Sequence, residues 1–177
     1  MVNSDNLTNL FIDGFKLRSL QLTDLESLIS IWLNPDVTRF LPSQGKPVSK
    51  INTQKTLHSF IDHWKQKGYG VWAIIENGTS QMVGYCGLRY LAELKETEIL
   101  YGLQPAYWGR GITPQAAKAV ISYGFTVANL NRIIAIALPQ NIASIRVIEK
   151  AGLQYEKSIH IFNLDVLYYS IESTVTI

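Results

Sequence analysis

The sequence predicts an α/β fold with a sheet of mixed strand directions, on three observations. Apolar residues recur at helical spacing in two early segments. β-rich runs bounded by turn residues follow. Two further helical segments then alternate with strands toward the end. The resulting order is β-α-α-β-β-β-α-β-α-β-β.

Residues 1–12 read as a loose start. Phe15 to Leu20 is a first strand, with Phe15 and Leu17 on one face and Lys16 and Arg18 on the other. Thr23 to Glu26 has capping-box spacing, and Leu25, Leu28, Ile29 and Trp32 follow on one helical face. That helix should stop near Asn34-Pro35, because the residue before proline disfavours helix. Leu57, Phe60, Ile61 and Trp64 mark a second helix ending near Gly68. Between the two, Thr38 to Ser49 is a loop punctuated by Pro42, Ser43, Gly45 and Pro47, and loops on a rigid scaffold often carry specificity. Gly70 to Ile75 and Met82 to Tyr90 form a hairpin about Asn77-Gly78, and Thr97 to Leu103 is the next strand. Pro114 to Ala128 is a helix whose only polar stripe is Gln115, Lys118 and Ser122. Arg132 to Leu138 is a central strand, Asn141 to Ala151 a helix ended by Gly152, and Gln154 to Phe162 and Asp165 to Ile171 the closing strands.

Composition narrows the function classes. The chain has 177 residues, 47% of them apolar, and 16 basic against 14 acidic residues give a net charge of +2. That balance excludes a protein whose main work is binding nucleic acid through phosphates. Cys86 is the only cysteine, so no internal disulfide forms. Neither a signal peptide nor a membrane span is evident, and a cytoplasmic protein is expected.

Chemistry concentrates in Leu103 to Pro114, which joins a strand to a helix. Gly109 and Gly111 permit a tight turn and close approach of a ligand. Thr113 is the expected N-cap and Pro114 the first helical residue. Loop and helix N–H groups then converge in a nest that suits anions, phosphate above all, and Arg110 adds a charge. A glycine-bearing turn before a capped helix needs no ligand, so both readings stay open. The run is not a nucleotide P-loop, since no Gly-Lys-Ser/Thr follows. A dinucleotide fingerprint is also excluded, since its third glycine and later acidic residue are missing. Further on, Asn141, Ser144 and Ile148 share one helix face.

These motifs resemble the GNAT acyl-CoA-dependent N-acetyltransferases, above all the branch of ribosomal-protein N-terminal acetyltransferases (Rim type). The resemblance runs through Leu17-Arg18, Asn34-Pro35-Asp36-Val37, Trp108-Gly109-Arg110-Gly111 and Asn141 to Gly152, nearly the whole chain. It implies one acetyltransferase domain over residues 1–177, with a mixed, mostly antiparallel central sheet flanked by about four helices. It implies acetyl-CoA as co-substrate, its pyrophosphate held on backbone N–H groups of Trp108, Gly109, Arg110, Gly111, Ile112 and Thr113. The pantetheine arm would pair with the strand around Leu103 and take a hydrogen bond from Asn141. Ser144 would lie near the thioester sulfur as a donor to the leaving thiolate, and Glu98 matches a position used for a base. Three residues depart from the family pattern: Gln115 where the branch is usually acidic, Thr113 in place of Gly or Ala, and Ile148 where many members carry a tyrosine acid. The last leaves Ser144 or solvent as the acid.

Only a neutral amine attacks. At pH 7 about a tenth of an α-amine (pKa ~8) is neutral, against under roughly a thousandth of a lysine (pKa ~10.4). A strand N–H near Leu103 would serve the developing oxyanion, a donor typically worth ~2.7–4 kcal/mol. The expected reaction is direct acetyl transfer to a primary amine, with a protein N-terminal α-amine favoured. A non-catalytic CoA-binding sensor and a small-molecule amine acetyltransferase are the alternatives. His58, His63 and His160 form no metal-ligand spacing and read as solvated or structural, so no metal is expected. Cys86, Trp32, Trp64 and Trp72 read as core, and Trp108 as a loop residue. Neither nucleic acid nor membrane is an expected partner, and monomer and homodimer both stay open.

Overall fold

The computed structural model describes residues 8–41 and 45–174. Eight strands form one sheet: β1 (Leu10–Ile12), β2 (Phe15–Ser19), β3 (Val71–Glu76), β4 (Met82–Leu91), β5 (Glu96–Leu103), β6 (Arg132–Ala137), β7 (Gln154–Ile161) and β8 (Leu164–Glu172). Their order across the sheet is β1-β2-β3-β4-β5-β6-β8-β7. Every pairing is antiparallel except β5 with β6, which is parallel. The helices are α1 (Leu25–Leu33), α2 (Pro35–Thr38), α3 (Lys50–Lys67), α4 (Ile112–Thr126) and α5 (Ile142–Lys150). The expected α/β class and mostly antiparallel sheet are therefore observed.

The two sheet faces follow from alternation along the strands. Trp72 and Ile74 of β3 point to one side with Leu17, Cys86, Leu88, Ile99 and Ile133, and α4 covers them through Ala116, Ala117 and Val120. Val71 and Ala73 point to the other side with Tyr85, under Leu28, Ile31 and Trp32 of α1 and Leu57 and Phe60 of α3. Trp64, Trp72 and Cys86 thus join the core as expected, and Trp32 does so on the second face.

Several local expectations are corrected. Residues 10–12 are a strand rather than part of a loose start; Gly14, at φ 74°, turns the chain so that Leu10 pairs with Leu17. Residues 1–7 lie outside the described residues, as do Pro42 and Ser43 of the expected loop. The first helix is not capped by Thr23 and Glu26. A 3-10 turn over Leu22–Asp24 precedes it, and the Asp24 carboxylate accepts from the Gln21 N–H at 2.8 Å and from both terminal nitrogens of Arg18. Asn34 then caps the added one-turn α2 by accepting from the Asp36 N–H at 2.9 Å. Asn77-Gly78 is not a two-residue turn. Five residues join β3 to β4, and Ser80 takes the positive φ.

Candidate active site

The glycine loop follows β5 through a 3-10 turn over Pro105–Tyr107. Gly109 and Gly111 both have left-handed φ, 74° and 75°. No atom lies within 4 Å of where a Cβ would sit on Gly109. The glycines therefore serve backbone shape, not packing. Gly111, not Thr113, is the N-cap of α4, and Pro114 is the third helical residue. Proline is tolerated there because first-turn N–H groups have no helical acceptor anyway. The Ile112 and Thr113 N–H groups therefore lie in the first turn, where no helical carbonyl reaches them. Trp108 N–H bonds the Pro105 carbonyl at 3.1 Å, and the next backbone bond begins at Gln115, to Gly111 at 3.4 Å. Between them, the N–H groups of Gly109, Arg110, Gly111, Ile112 and Thr113 have no acceptor among the described residues. Five adjacent donors across the loop and the first turn of the 15-residue α4 form a cradle for an anion. Arg110 stands beside it, its guanidinium over the Tyr107 ring at 5.0 Å and the Phe15 ring at 5.9 Å.

A gap in the strand pairing leads from this cradle into the sheet. β5 and β6 share a single bridged pair, Glu98 with Ile134. β5 nonetheless stays paired with β4 on its other edge as far as Leu103. Beyond Glu98 no further bridged pair joins the two parallel strands, and the edge of β5 from Ile99 to Leu103 has no strand partner among the described residues. At its end the Leu103 carbonyl accepts the Trp108 indole N–H at 2.8 Å. Trp108 therefore fastens the loop to the strand, although half its surface is open.

Across the gap stands α5. Asn141 caps it, its Oδ1 accepting from the Ser144 N–H at 3.2 Å. Its Nδ2 has no acceptor among the described residues, so that amide remains available to a ligand. The hydroxyl of Tyr101 has two acceptors within reach on Ser144, Oγ at 2.8 Å and the carbonyl at 3.1 Å. Tyr101 is a site residue that sequence reasoning missed. Its signal was a phenol in a stripe with Thr97, Ile99 and Leu103. Burial raises its pKa above the ordinary value, and the Ser144 bond opposes that rise. Ile148, one turn further on α5, is 1% exposed and belongs to the core.

Glu98 lies on the opposite face of β5, the side of Leu100 and the α1/α3 cluster. It is 3% exposed, not a surface glutamate. Its Oε1 accepts from Arg89 Nε at 2.9 Å and from Arg89 Nη2. Its Oε2 has no hydrogen-bond partner among the described residues. Burial pushes the Glu98 carboxyl up, and the Arg89 charge and hydrogen bond pull it back. The structure thus brings Leu103 and the loop together at the cleft mouth and Asn141 with Ser144 along one wall, and places Glu98 where the strands part. His63 instead bonds the Tyr69 carbonyl and the Tyr90 N–H, a structural role.

The chain has known relatives. The family model described as "Acetyltransferase (GNAT) domain" matches residues 15–154. An uncharacterized N-acetyltransferase p20 from Bacillus licheniformis is 30% identical over 152 residues, covering 85% of this chain and 84% of the relative. A ribosomal L7/L12 alpha-N-protein acetyltransferase solved in complex with coenzyme A has a TM-score of 0.76 at 19% identity, covering 91% of this chain and 95% of that one. A spermidine N-acetyltransferase from Vibrio cholerae, solved with CoA and spermine, has a TM-score of 0.73 at 17% identity, covering 91% and 96%. At those identities the two structures show a shared fold. No helix among the described residues is long and apolar enough to cross a membrane.

Proposed function

We propose that this chain, which belongs to the GNAT acetyltransferase family and uses acetyl-CoA to acetylate an amine, acts on a protein N-terminal α-amine by direct attack. In this reading residues 1–177 are one acetyltransferase domain of the Rim type, working in the cytoplasm. The observation that carries the assignment of the co-substrate site is the run of five N–H groups without an acceptor among the described residues, at the end of the open β5 edge. Gly109 to Thr113 receive the pyrophosphate, with Trp108 holding the loop in place, and Arg110 swings from its aromatic seat to the same charge. The free edge of β5 up to Leu103 takes the acyl arm by main-chain pairing, and Asn141 donates to it through Nδ2. An N–H of that edge faces the developing oxyanion, where one such donor contributes ~2.7–4 kcal/mol.

The two faces of β5 divide the proton chemistry. Glu98 Oε2 is a buried acceptor without a donor among the described residues, which suits it to draw a proton from an incoming ammonium directly or through a water. Ser144, on the other face, donates to the departing sulfur. Alignment of amine and thioester comes from binding alone, with no covalent enzyme intermediate. An α-amine needs the least help from such a base, since about a tenth is already neutral at pH 7. That favours it over lysine.

The experiment is a thiol-release assay with acetyl-CoA against short peptides with free N-termini, N-acetylated lysine peptides and spermidine. Turnover led by the N-terminal peptides supports the proposal. Turnover led by spermidine overturns the acceptor assignment, and acetyl-CoA binding with no turnover on any amine favours the sensor alternative.

A further inference from the structure

We infer that Tyr101 is a positioning residue that turns the Ser144 hydroxyl toward the reacting sulfur. The inference rests on the assignment of Ser144 as donor to the leaving thiolate. It comes from counting protons in a small closed set. The Tyr101 hydroxyl has two acceptors within reach, the Ser144 carbonyl at 3.1 Å and Ser144 Oγ at 2.8 Å. Each hydroxyl has one proton. When Tyr101 donates to the carbonyl, the 2.8 Å contact is filled by the serine proton, which then points at the tyrosine. When Tyr101 donates to Oγ, the serine proton is released from that contact. No second protein acceptor for it exists among the described residues. The second arrangement therefore presents a polarised O–H to whatever acceptor occupies the cleft.

Placement supports this. Tyr101 stands on the stretch of β5 that has lost β6 as a neighbour, so its hydroxyl spans the gap from strand to helix. The next inward turn of α5 offers only Ile148, an apolar core residue. Ser144 is thus the hydroxyl the helix presents at this level, and Tyr101 is its sole side-chain partner among the described residues. Burial also disfavours tyrosinate, which keeps Tyr101 a donor across the working pH range.

The chemical balance is simple. As the amine nitrogen–carbon bond forms and the carbon–sulfur bond breaks, the electron pair passes to sulfur, and Ser144 donates a hydrogen bond to it. Tyr101 keeps its proton throughout. The proton that completes the thiol is the one shed by the amine, exchanged through solvent.

The test uses Y101F, S144A and the double variant of the full chain, with acetyl-CoA and the best peptide acceptor. Phenylalanine keeps the ring in place and removes only the hydroxyl. We expect Y101F to lower kcat about tenfold while the acetyl-CoA dissociation constant and the acceptor KM stay within about twofold. The double variant should fall no further than the slower single variant, because both act through one hydrogen bond to sulfur. A Y101F enzyme with wild-type kcat, or a double variant whose loss is the product of the two single losses, overturns the inference. An S144A enzyme with full kcat overturns instead the Ser144 assignment beneath it. Thermal midpoints of all three variants separate a folding defect from these outcomes, and a KM rise at constant kcat assigns Tyr101 to architecture only.

Discussion

Replacing Glu98 by glutamine separates the two things this carboxylate does. Its Oε1 holds Arg89, and its Oε2 has no donor among the described residues. Glutamine keeps the shape and removes the charge and the basicity. The ion pair is not fully buried, because the Arg89 side chain is 41% exposed against 4% for Glu98. Arg89 can therefore be hydrated when its partner is neutral, and the stability loss should be about 1–2 kcal/mol, not the ~3–5 kcal/mol of a fully buried pair. The catalytic effect is larger and depends on pH. Without a base the enzyme acts only on amine that is already neutral. For an α-amine of pKa ~8, that fraction is about one hundredth at pH 6, a tenth at pH 7 and nine tenths at pH 9. The Glu98→Gln variant should therefore gain roughly tenfold in kcat/KM per pH unit from 6 to 8 and then level off. If Glu98 is the base, the wild-type enzyme takes the proton itself, and burial, by raising the Glu98 pKa, favours that transfer. The expected deficit is about a hundredfold at pH 6, tenfold at pH 7 and near none above pH 9. Thiol release at saturating acetyl-CoA, with a free N-terminal peptide as acceptor, measures it. A deficit of the same size at every pH, or a variant with the wild-type profile, refutes the assignment of Glu98.

Three further outcomes are expected. His63 accepts the Tyr90 N–H at Nε2 while donating from Nδ1 to the Tyr69 carbonyl, which only the neutral ring can do. Burial above all, with Lys67 and Arg89 nearby, holds its pKa below 6.5, so the unfolded chain takes the proton first as pH falls. Its stability contribution is thus complete above pH ~6.5 and declines below it, and the thermal-midpoint advantage of wild type over His63→Gln should shrink toward acid pH. Gly102→Ala would set a Cβ 2.6 Å from the Tyr85 ring, which is held by the Trp32 indole N–H at 3.1 Å. The expected loss is about 1–3 kcal/mol, measured by denaturant melts, with partial recovery when Tyr85→Leu is added. Asn141→Ala removes the cap of α5 together with the free amide. It should cost about 1 kcal/mol in stability and weaken acetyl-CoA binding several-fold by calorimetry, whereas Asn141→Ser should keep the cap and lose only affinity.

What could be read from the residues was whatever depends on near neighbours in the chain. Periodicity located α1, α3, α4 and α5, and Gly68 and Gly152 both take the left-handed φ that ends a helix. The glycine loop and the Asn141 helix were legible because backbone turns and caps are built within a few residues. Even there, competition among local signals misled: Gly111 could take the left-handed cap position, so Pro114 had no need to open the helix. The tertiary structure alone decided three things. It parted β5 from β6 after Glu98, a matter of pairing between strands separated by a whole helix. It joined Tyr101 to Ser144 across 43 positions, a contact no spacing rule encodes. It also buried Glu98 against Arg89 on the opposite face of the strand, because which side of a strand is covered depends on helices packed there from elsewhere in the sequence.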